Sequence, residues 1–474
     1  MKVLLINPSQ ERVYGIKIMP AYPPLGLLYI GTVLKRSGHQ VRLVDIDTEN
    51  INEDRFKEVF KEFNPEAVGI SSVTPTIKDA LKWARTSKEI KNVPVIFGGI
   101  HATIATDEII ENNCVDIVVV GEGEETVDDL FKELEQPAPK LRNVKGIWFK
   151  EENRPVICDR RSLIDDLDTI PFPDIALIKN PNAFMPPDAT SLPVATIITS
   201  RGCPGECSFC CVKQIFTRKF RARSVENIIR EIKKLVIEDG IKEIHIADDT
   251  FTLIKQRVLD FCKEVKQQNI KVNFQFMNGL RADFVDRDIL MALKGIGFKT
   301  VGYGVESASP DILKNIKKSI PLDTTRKVFK LSKELGFEIW AFLIFGLPGE
   351  SERTIRQTIN FTKEIDPDFA KFFILKPYPG SEVYKQFKKD NLLLSNNYDD
   401  YGIYTKPVHR LPGLDPERII YWQKRAFREF YLRPSKIISH IKRIKSIRQL
   451  GLIYNALKLV IHNMIKSKKY KISE

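Results

Sequence analysis

The sequence predicts an α/β protein in three parts: a doubly wound N-terminal domain, a partial (β/α)6 barrel and a C-terminal helical extension. Three observations carry that prediction. Two series of short apolar runs alternate with amphipathic stretches, a segment rich in Pro and Asp separates them, and beyond about Asp390 strand character stops. A chain of 474 residues exceeds what one core organises, which fits two or three domains.

The first series comprises Val3 to Asn7, Val41 to Asp45, Ala67 to Ser71, Val95 to Gly98 and Asp116 to Gly121. Most of these runs are apolar throughout, as strands covered on both faces are, and stretches such as Lys78 to Lys91 suit the covering helices. A Rossmann-like domain over residues 1–140 follows. Gly146 to Lys150 reads as a hairpin strand, and Pro171, Pro173, Pro181, Pro186 and Pro187 mark a linker over residues 141–190. The second series begins at Val194 and continues through Glu243 to Ala247, Lys271 to Phe276, Thr300 to Val305, Glu338 to Phe345 and Phe369 to Leu375. It predicts a partial TIM-like barrel over residues 191–395, with active residues at the C-terminal strand ends. Residues 396–474 are expected to form a basic helical region, opened by Asp415 before Pro416 and broken near Pro434.

The net charge of +13 is concentrated in that region, where Tyr431 to Glu474 hold eleven Lys or Arg against one acidic residue. Ile437, Ile438, Ile441, Ile444, Leu450 and Ile453 recur there at helical spacing, which suits either a helical cap on the barrel or a stretch lying on an anionic membrane face. Nucleic acid is not expected, since no recognised RNA-binding module accompanies the charge. The N-terminus lacks the parts of a signal peptide, and no run reaches the ~20 apolar residues of a membrane span, so a cytoplasmic protein is expected, in contact with the inner membrane face at most.

Seven cysteines make a poor disulfide framework, and three of them crowd into eight positions. Cys114, Cys158 and Cys262 are scattered and read as core thiols. Arg201, Gly202, Cys203, Pro204, Gly205, Glu206, Cys207, Ser208, Phe209 and Cys210 end the first barrel strand in a Cys-x3-Cys-x2-Cys pattern. Thiolates so spaced can hold a cubane cluster by three irons and leave the fourth open. The alternative is a zinc or electron-transfer site that borrows Cys211.

This motif resembles the radical S-adenosylmethionine (SAM) superfamily. The resemblance implies a 4Fe-4S cluster on Cys203, Cys207 and Cys210, whose open iron is chelated by the amino and carboxylate groups of SAM; Phe209 also fits. It implies a ribose contact for Glu306 in Gly304-Val305-Glu306-Ser307, with Gly304 and Ser307 beside the nucleoside. Asp249, after Asp248, would meet the methionine amine or cap a helix, and Gly346, in the turn Phe345 to Glu350, would lie beside adenine. Arg281 would face the pocket or cap a helix.

Small residues also gather at the strand ends of the first domain: Ser71, Ser72 and Thr74; Gly98, Gly99 and His101; Gly121, Glu122 and Gly123. They would admit a flat macrocycle or nucleotide tail against bare backbone. With Asn7-Pro8 and Pro23-Pro24-Leu25-Gly26, they resemble the cobalamin-binding domain found in one branch of that superfamily. The family's axial-histidine loop reads Ser9 to Gly15 here and holds no histidine, which leaves binding without one, His101 as a substitute ligand, or a site that has lost cobalamin.

The resemblance implies a radical enzyme that cleaves SAM to a 5'-deoxyadenosyl radical. It would be cobalamin-dependent, methylating or cyclising an unactivated carbon of a small-molecule or lipid-like substrate, with electrons from flavodoxin or ferredoxin. Competing readings are a radical enzyme without corrinoid and a non-catalytic electron-transfer protein.

Overall fold

The structure, a computed structural model, describes residues 1–14, 22–186 and 189–443. Its first sheet contains β1 (Lys2–Asn7), β2 (Gln40–Asp45), β3 (Ala67–Ser71), β4 (Val95–Gly98), β5 (Ile117–Val119), β6 (Ile147–Glu151) and β7 (Arg154–Ile157). The order is β2-β1-β3-β4-β5-β6-β7, parallel through β5 and antiparallel thereafter. Alternate residues of β1 enter opposite cores: Leu4 and Ile6 meet Phe56 and Trp83, whereas Val3 and Leu5 meet Leu28 and Phe131. Helices therefore cover both faces, and a ligand crevice opens at the strand C-termini where the order reverses.

The sheet extends past residue 140 to Ile157. Beyond the short strand β5 the sheet is extended by an antiparallel hairpin, β6 and β7, turned at Glu152 and Asn153, both with positive φ. The Pro- and Asp-rich segment after it is packed rather than free: Leu177, Ile178 and Phe184 join the second core, and Lys35 binds Asp174 at 2.5 Å.

Six parallel strands follow: β8 (Val194–Ile197), β11 (Glu243–Ile246), β12 (Asn273–Phe276), β13 (Thr300–Glu306), β14 (Glu338–Phe345) and β15 (Phe369–Ile374). They form two three-stranded ladders, β8-β11-β12 and β13-β14-β15, joined by the parallel bridges Phe274 to Phe298 and Leu280 to Tyr303. Among the described residues β15 does not pair with β8, so the barrel is open, as the sequence predicts. In β14, Ile339, Ala341, Leu343 and Phe345 are buried and alternate with half-buried Trp340, Phe342 and Ile344.

The extension departs from prediction at its start. Residues 395–406 form a strap with a short turn at Tyr398–Tyr401, which crosses back to the first domain. Ile403 donates to the Val13 carbonyl at 2.7 Å and Tyr398 to Glu108 at 2.7 Å. Buried Lys376, just past β15, holds the strap through the carbonyls of Asp400 and Thr405. Helix Pro416–Tyr431, capped by Asp415, then packs on β15 through Tyr431, and Pro434–Arg443 follows after the expected break. Residues 444–474, with much of the basic tail, lie outside the described residues. Among the described residues no helix is long and apolar enough to cross a membrane.

Candidate active site

After β8 the chain makes a two-residue strand β9 (Ser200–Arg201) that pairs antiparallel with β10 (Arg221–Ala222). Asp248, at the end of β11, fixes this segment by accepting from the Thr199 backbone at 2.6 Å and from the hydroxyls of Thr199 and Ser200 at 2.5 Å each. Gly202 has φ +89°, and a Cβ there would lie 2.3 Å from the Lys219 carbonyl, so only glycine turns this corner. Its N–H donates to Asp249, whose carboxyl is pushed up to about 6 by burial and by Asp248.

Cys203, Cys207 and Cys210 stand half-buried on the loop that follows. Cys203 accepts from the Gly205 N–H at 3.4 Å and Cys210 from Val212 at 3.5 Å. Burial pushes the Cys207 thiol up, opposed by Lys318 and Arg281, and pushes Cys210 up to about 12. Cys211 turns away, its Sγ 3.4 Å from the Pro379 carbonyl. Among the described residues no three His, Cys, Asp or Glu side chains surround a single-ion position. A cubane does not require that, since each thiolate binds a different iron. Phe209 packs against the barrel core. Arg281 faces the loop, 3.4 Å from the place of a Gly205 Cβ, and pairs with Asp283 at 2.7 Å.

The fourth and fifth barrel strand ends hold two further arrangements. A bulge between Gly304 and Glu306, with φ +60° at Glu306, turns that carboxylate inward, where Oε1 accepts from Lys318 at 2.6 Å. Gly304 makes room for this pair, because a Cβ would meet Oε1 at 2.5 Å and Nζ at 2.6 Å. Its small size leaves room for the ion pair, and Lys318 is a partner of Glu306 that no local motif announces. Ser307 is fully buried, its hydroxyl 3.3 Å from Thr358 and accepting from Ser309, so it ties the strand end to helix Glu352–Ile365. Gly346 donates to Glu350 at 2.5 Å and accepts from His409 at 2.9 Å, and His409 occupies the space of its missing side chain.

In the first domain the expected residues divide. Ser71, Gly98, Gly99 and Gly121 lie on the accessible strand-end surface, and a Cβ at Gly98 or Gly121 would enter open space. Ser72 is buried, its Oγ without a partner among the described residues. Thr74 and His101 bond each other at 3.1 Å inside the fold, where the His101 ring meets Tyr398 edge-on. His101 is thus a buried residue of the helix Ile100–Ile104. Gly123 packs under Ile30.

Glu122 also turns away from the strand-end surface. It accepts from Arg201 at 2.8 Å, from Arg221 at 2.8 and 3.0 Å and from the Ile164 N–H at 2.9 Å, while Glu124 takes the other arm of Arg201 at 2.5 Å. All four side chains are less than a tenth exposed. Burial pushes the Glu122 carboxyl up, but Arg221 and Arg201 hold it below the ordinary range. The turn after β5 is thus bonded across the domain boundary to the residue two before Cys203.

Three thiols after the first strand of a partial barrel, held against a doubly wound domain, define a radical SAM protein with an accessory ligand domain. The Radical SAM superfamily profile matches residues 197–362, and the B12 binding domain profile matches residues 11–131. The chain is 35% identical to an uncharacterized methyltransferase of Pyrococcus horikoshii, covering 93% of this chain and 95% of that protein. It is 26% identical to an anaerobic magnesium-protoporphyrin IX monomethyl ester cyclase of Cereibacter sphaeroides, covering 91% and 71% respectively. The solved radical SAM methyltransferase TsrM from Kitasatospora setae, with cobalamin and a [4Fe-4S] cluster bound, superposes with a TM-score of 0.68 at 19% identity, over 82% of this chain and 75% of that one. The chain belongs to the family of radical SAM enzymes that carry an N-terminal B12 binding domain.

Proposed function

We propose that Cys203, Cys207 and Cys210 hold a [4Fe-4S] cluster with SAM beside it, that the ends of β3, β4 and β5 hold cobalamin, and that the enzyme methylates or cyclises an unactivated carbon of a small molecule. The observation that carries this reading is the direct bond between the two sets of strand ends, through Arg201 and Glu122.

The residues present fit the groups. Burial pushes the Cys207 thiol up, and the nearby cations Lys318 and Arg281 oppose that push. Bare backbone at Gly98 and Gly121, beside the orphan hydroxyl of Ser72, suits a corrin edge or its nucleotide tail. When bound, the cluster supplies the electron that splits the sulfonium to methionine and a 5'-deoxyadenosyl radical, and the corrinoid supplies a methyl carrier. The chain binds and orients. Asp249, aimed by the Gly202 N–H, accepts from the methionine ammonium. Glu306, anchored through Oε1 by Lys318, offers Oε2 to ribose hydroxyls. One electron per cleavage comes from an external donor such as flavodoxin or ferredoxin.

Anaerobic reconstitution with iron, sulfide and hydroxocobalamin, followed by gel filtration and assay of 5'-deoxyadenosine, tests the reading. Retained corrin absorbance together with 5'-deoxyadenosine release is expected. Release without retained corrin would remove the cobalamin part, and neither would remove both. A lipid-like substrate rests on the apolar and basic residues of the tail alone; failure of the full chain to float with anionic vesicles at low salt would withdraw it.

A further inference from the structure

The pairing of β9 with β10 sets Arg201 opposite Arg221, two like charges in facing register with both side chains buried. Such a placement is unfavourable by itself and is relieved only because Glu122 reaches in from the other domain to bridge both guanidinium groups, with Glu124 on the far arm of Arg201. The Arg201 guanidinium also lies between rings from both domains, 5.6 Å from Tyr29 and 5.7 Å from Phe216. A buried ion network adds little net stability compared with apolar packing, but it fixes register, because any slip strands a charge away from water.

The two ends of this network are informative. On one side, Arg201 leads through Gly202, itself pinned to Asp249, into Cys203. On the other, Glu122 follows Gly121, whose N–H is fixed by Thr103 at 3.0 Å and whose Cα faces the open strand-end surface. The connection is short and has no flexible side chain exposed to solvent along it.

We propose that Glu122, through Arg201 and Arg221, is an interdomain positioning residue that sets the separation of the cluster loop from the corrinoid surface. This rests on the function proposed above and adds a role that neither domain's motif implies: the carboxylate acts on the geometry between the two cofactors and contacts neither.

The test uses the full chain with hydroxocobalamin as the probe, comparing wild type with Glu122→Gln, and with Glu124→Gln as the milder variant should the first fail to fold. In frozen solution after reduction, the magnetic coupling between the reduced cluster and cob(II)alamin reports their separation. Wild type is expected to show one defined coupling and the variants a weakened or broadened one, at unchanged iron and corrin content. 5'-Deoxyadenosine release should fall by less than about tenfold, since the residues placed at the cluster and SAM are untouched. Hydrogen exchange on the cofactor-free chain supplies an arm independent of corrinoid binding. Loss of protection should occur together in residues 121–124 and 199–203. Wild-type coupling in the variants, or exchange that rises only in residues 121–124, would overturn the proposal. Failure of wild type to retain corrin would strike the cobalamin reading instead, and the exchange arm would still decide whether Glu122 holds residues 121–124 and 199–203 together.

Discussion

The two sets of strand ends differ in how their residues are used. On the barrel, Cys203, Cys210, Asp249 and Glu306 are held by neighbouring backbone or by a counter-ion at the mouth, and Cys207 lies near Lys318 and Arg281. On the first domain, Glu122, Thr74, His101 and Gly123 are turned into the fold, and what remains on the surface is largely main chain at Gly98, Gly99 and Gly121. A site that must ligate iron needs particular side chains. A site that cradles a large preformed cofactor needs the absence of them, and small residues are equally what tight packing selects.

The largest effect expected from this contrast concerns adjacent cysteines. Cys210→Ala should lower 5'-deoxyadenosine release by at least about 1000-fold, whereas Cys211→Ala, whose thiol faces Pro379, should retain it within a few-fold, both measured on reconstituted protein. Equal loss in both would revive the four-cysteine site. Next comes Glu306→Gln, which leaves Lys318 buried without its counter-charge. About 3–5 kcal/mol of stability should be lost in denaturant unfolding, along with SAM affinity in equilibrium binding. Unchanged SAM affinity would confine Glu306 to a structural role.

Why the barrel was more legible than the first domain follows from sequence separation. The cysteine motif spans eight positions, and its loop needs only local turns. Strands appear as apolar runs because both sheets are covered by helices. Glu122 meets Arg201 and Arg221 from 79 and 99 residues away, and no window on the sequence contains both partners. Glu122 and Glu124, and likewise Arg221 and Arg223, recur at a spacing of two, but both pairs stand beside further charged residues, Glu125 and Arg218-Lys219, so the sequence does not single them out as buried. The strap of residues 395–406 leaves little trace either, since it has no periodicity and is ordered by contacts to Lys376 and Val13.

Neighbouring glycines sharpen the comparison within the first domain. Gly99 has φ +94°, and a Cβ there would lie 2.9 Å from Ser71 Oγ and 3.0 Å from the Ser72 carbonyl. Gly99→Val should therefore cost about 2 kcal/mol or more in unfolding experiments. Gly98 carries neither restriction, so Gly98→Val should leave stability within about 0.5 kcal/mol while its side chain enters the open surface. Hydroxocobalamin retention should then fall by about tenfold, equivalent to 1.4 kcal/mol. Full retention would move the corrinoid off these strand ends.

The smallest expected effect is a pH dependence at the fifth barrel strand. Burial lifts Glu350 to about 8, although the N–H groups of Gly346 and Leu347 donate to it. Its folded pKa thus stands above its unfolded value, so the folded state binds the extra proton. The stability this confers is complete at low pH and is lost as pH rises towards 8. Between pH 7 and 8 the loss approaches at most about 1.4 kcal/mol per pH unit. His409, lowered to about 4 by burial on the other side of Gly346, gives the opposite limb, destabilising the fold as pH falls below 6.5. Glu350→Gln keeps an acceptor for both N–H groups and cannot ionise, so calorimetric melting from pH 6.5 to 8.5 should show a flatter profile than wild type. An identical slope in the two proteins would mean that Glu350 is already ionised in the fold, and that the turn beside Gly346 holds a buried carboxylate.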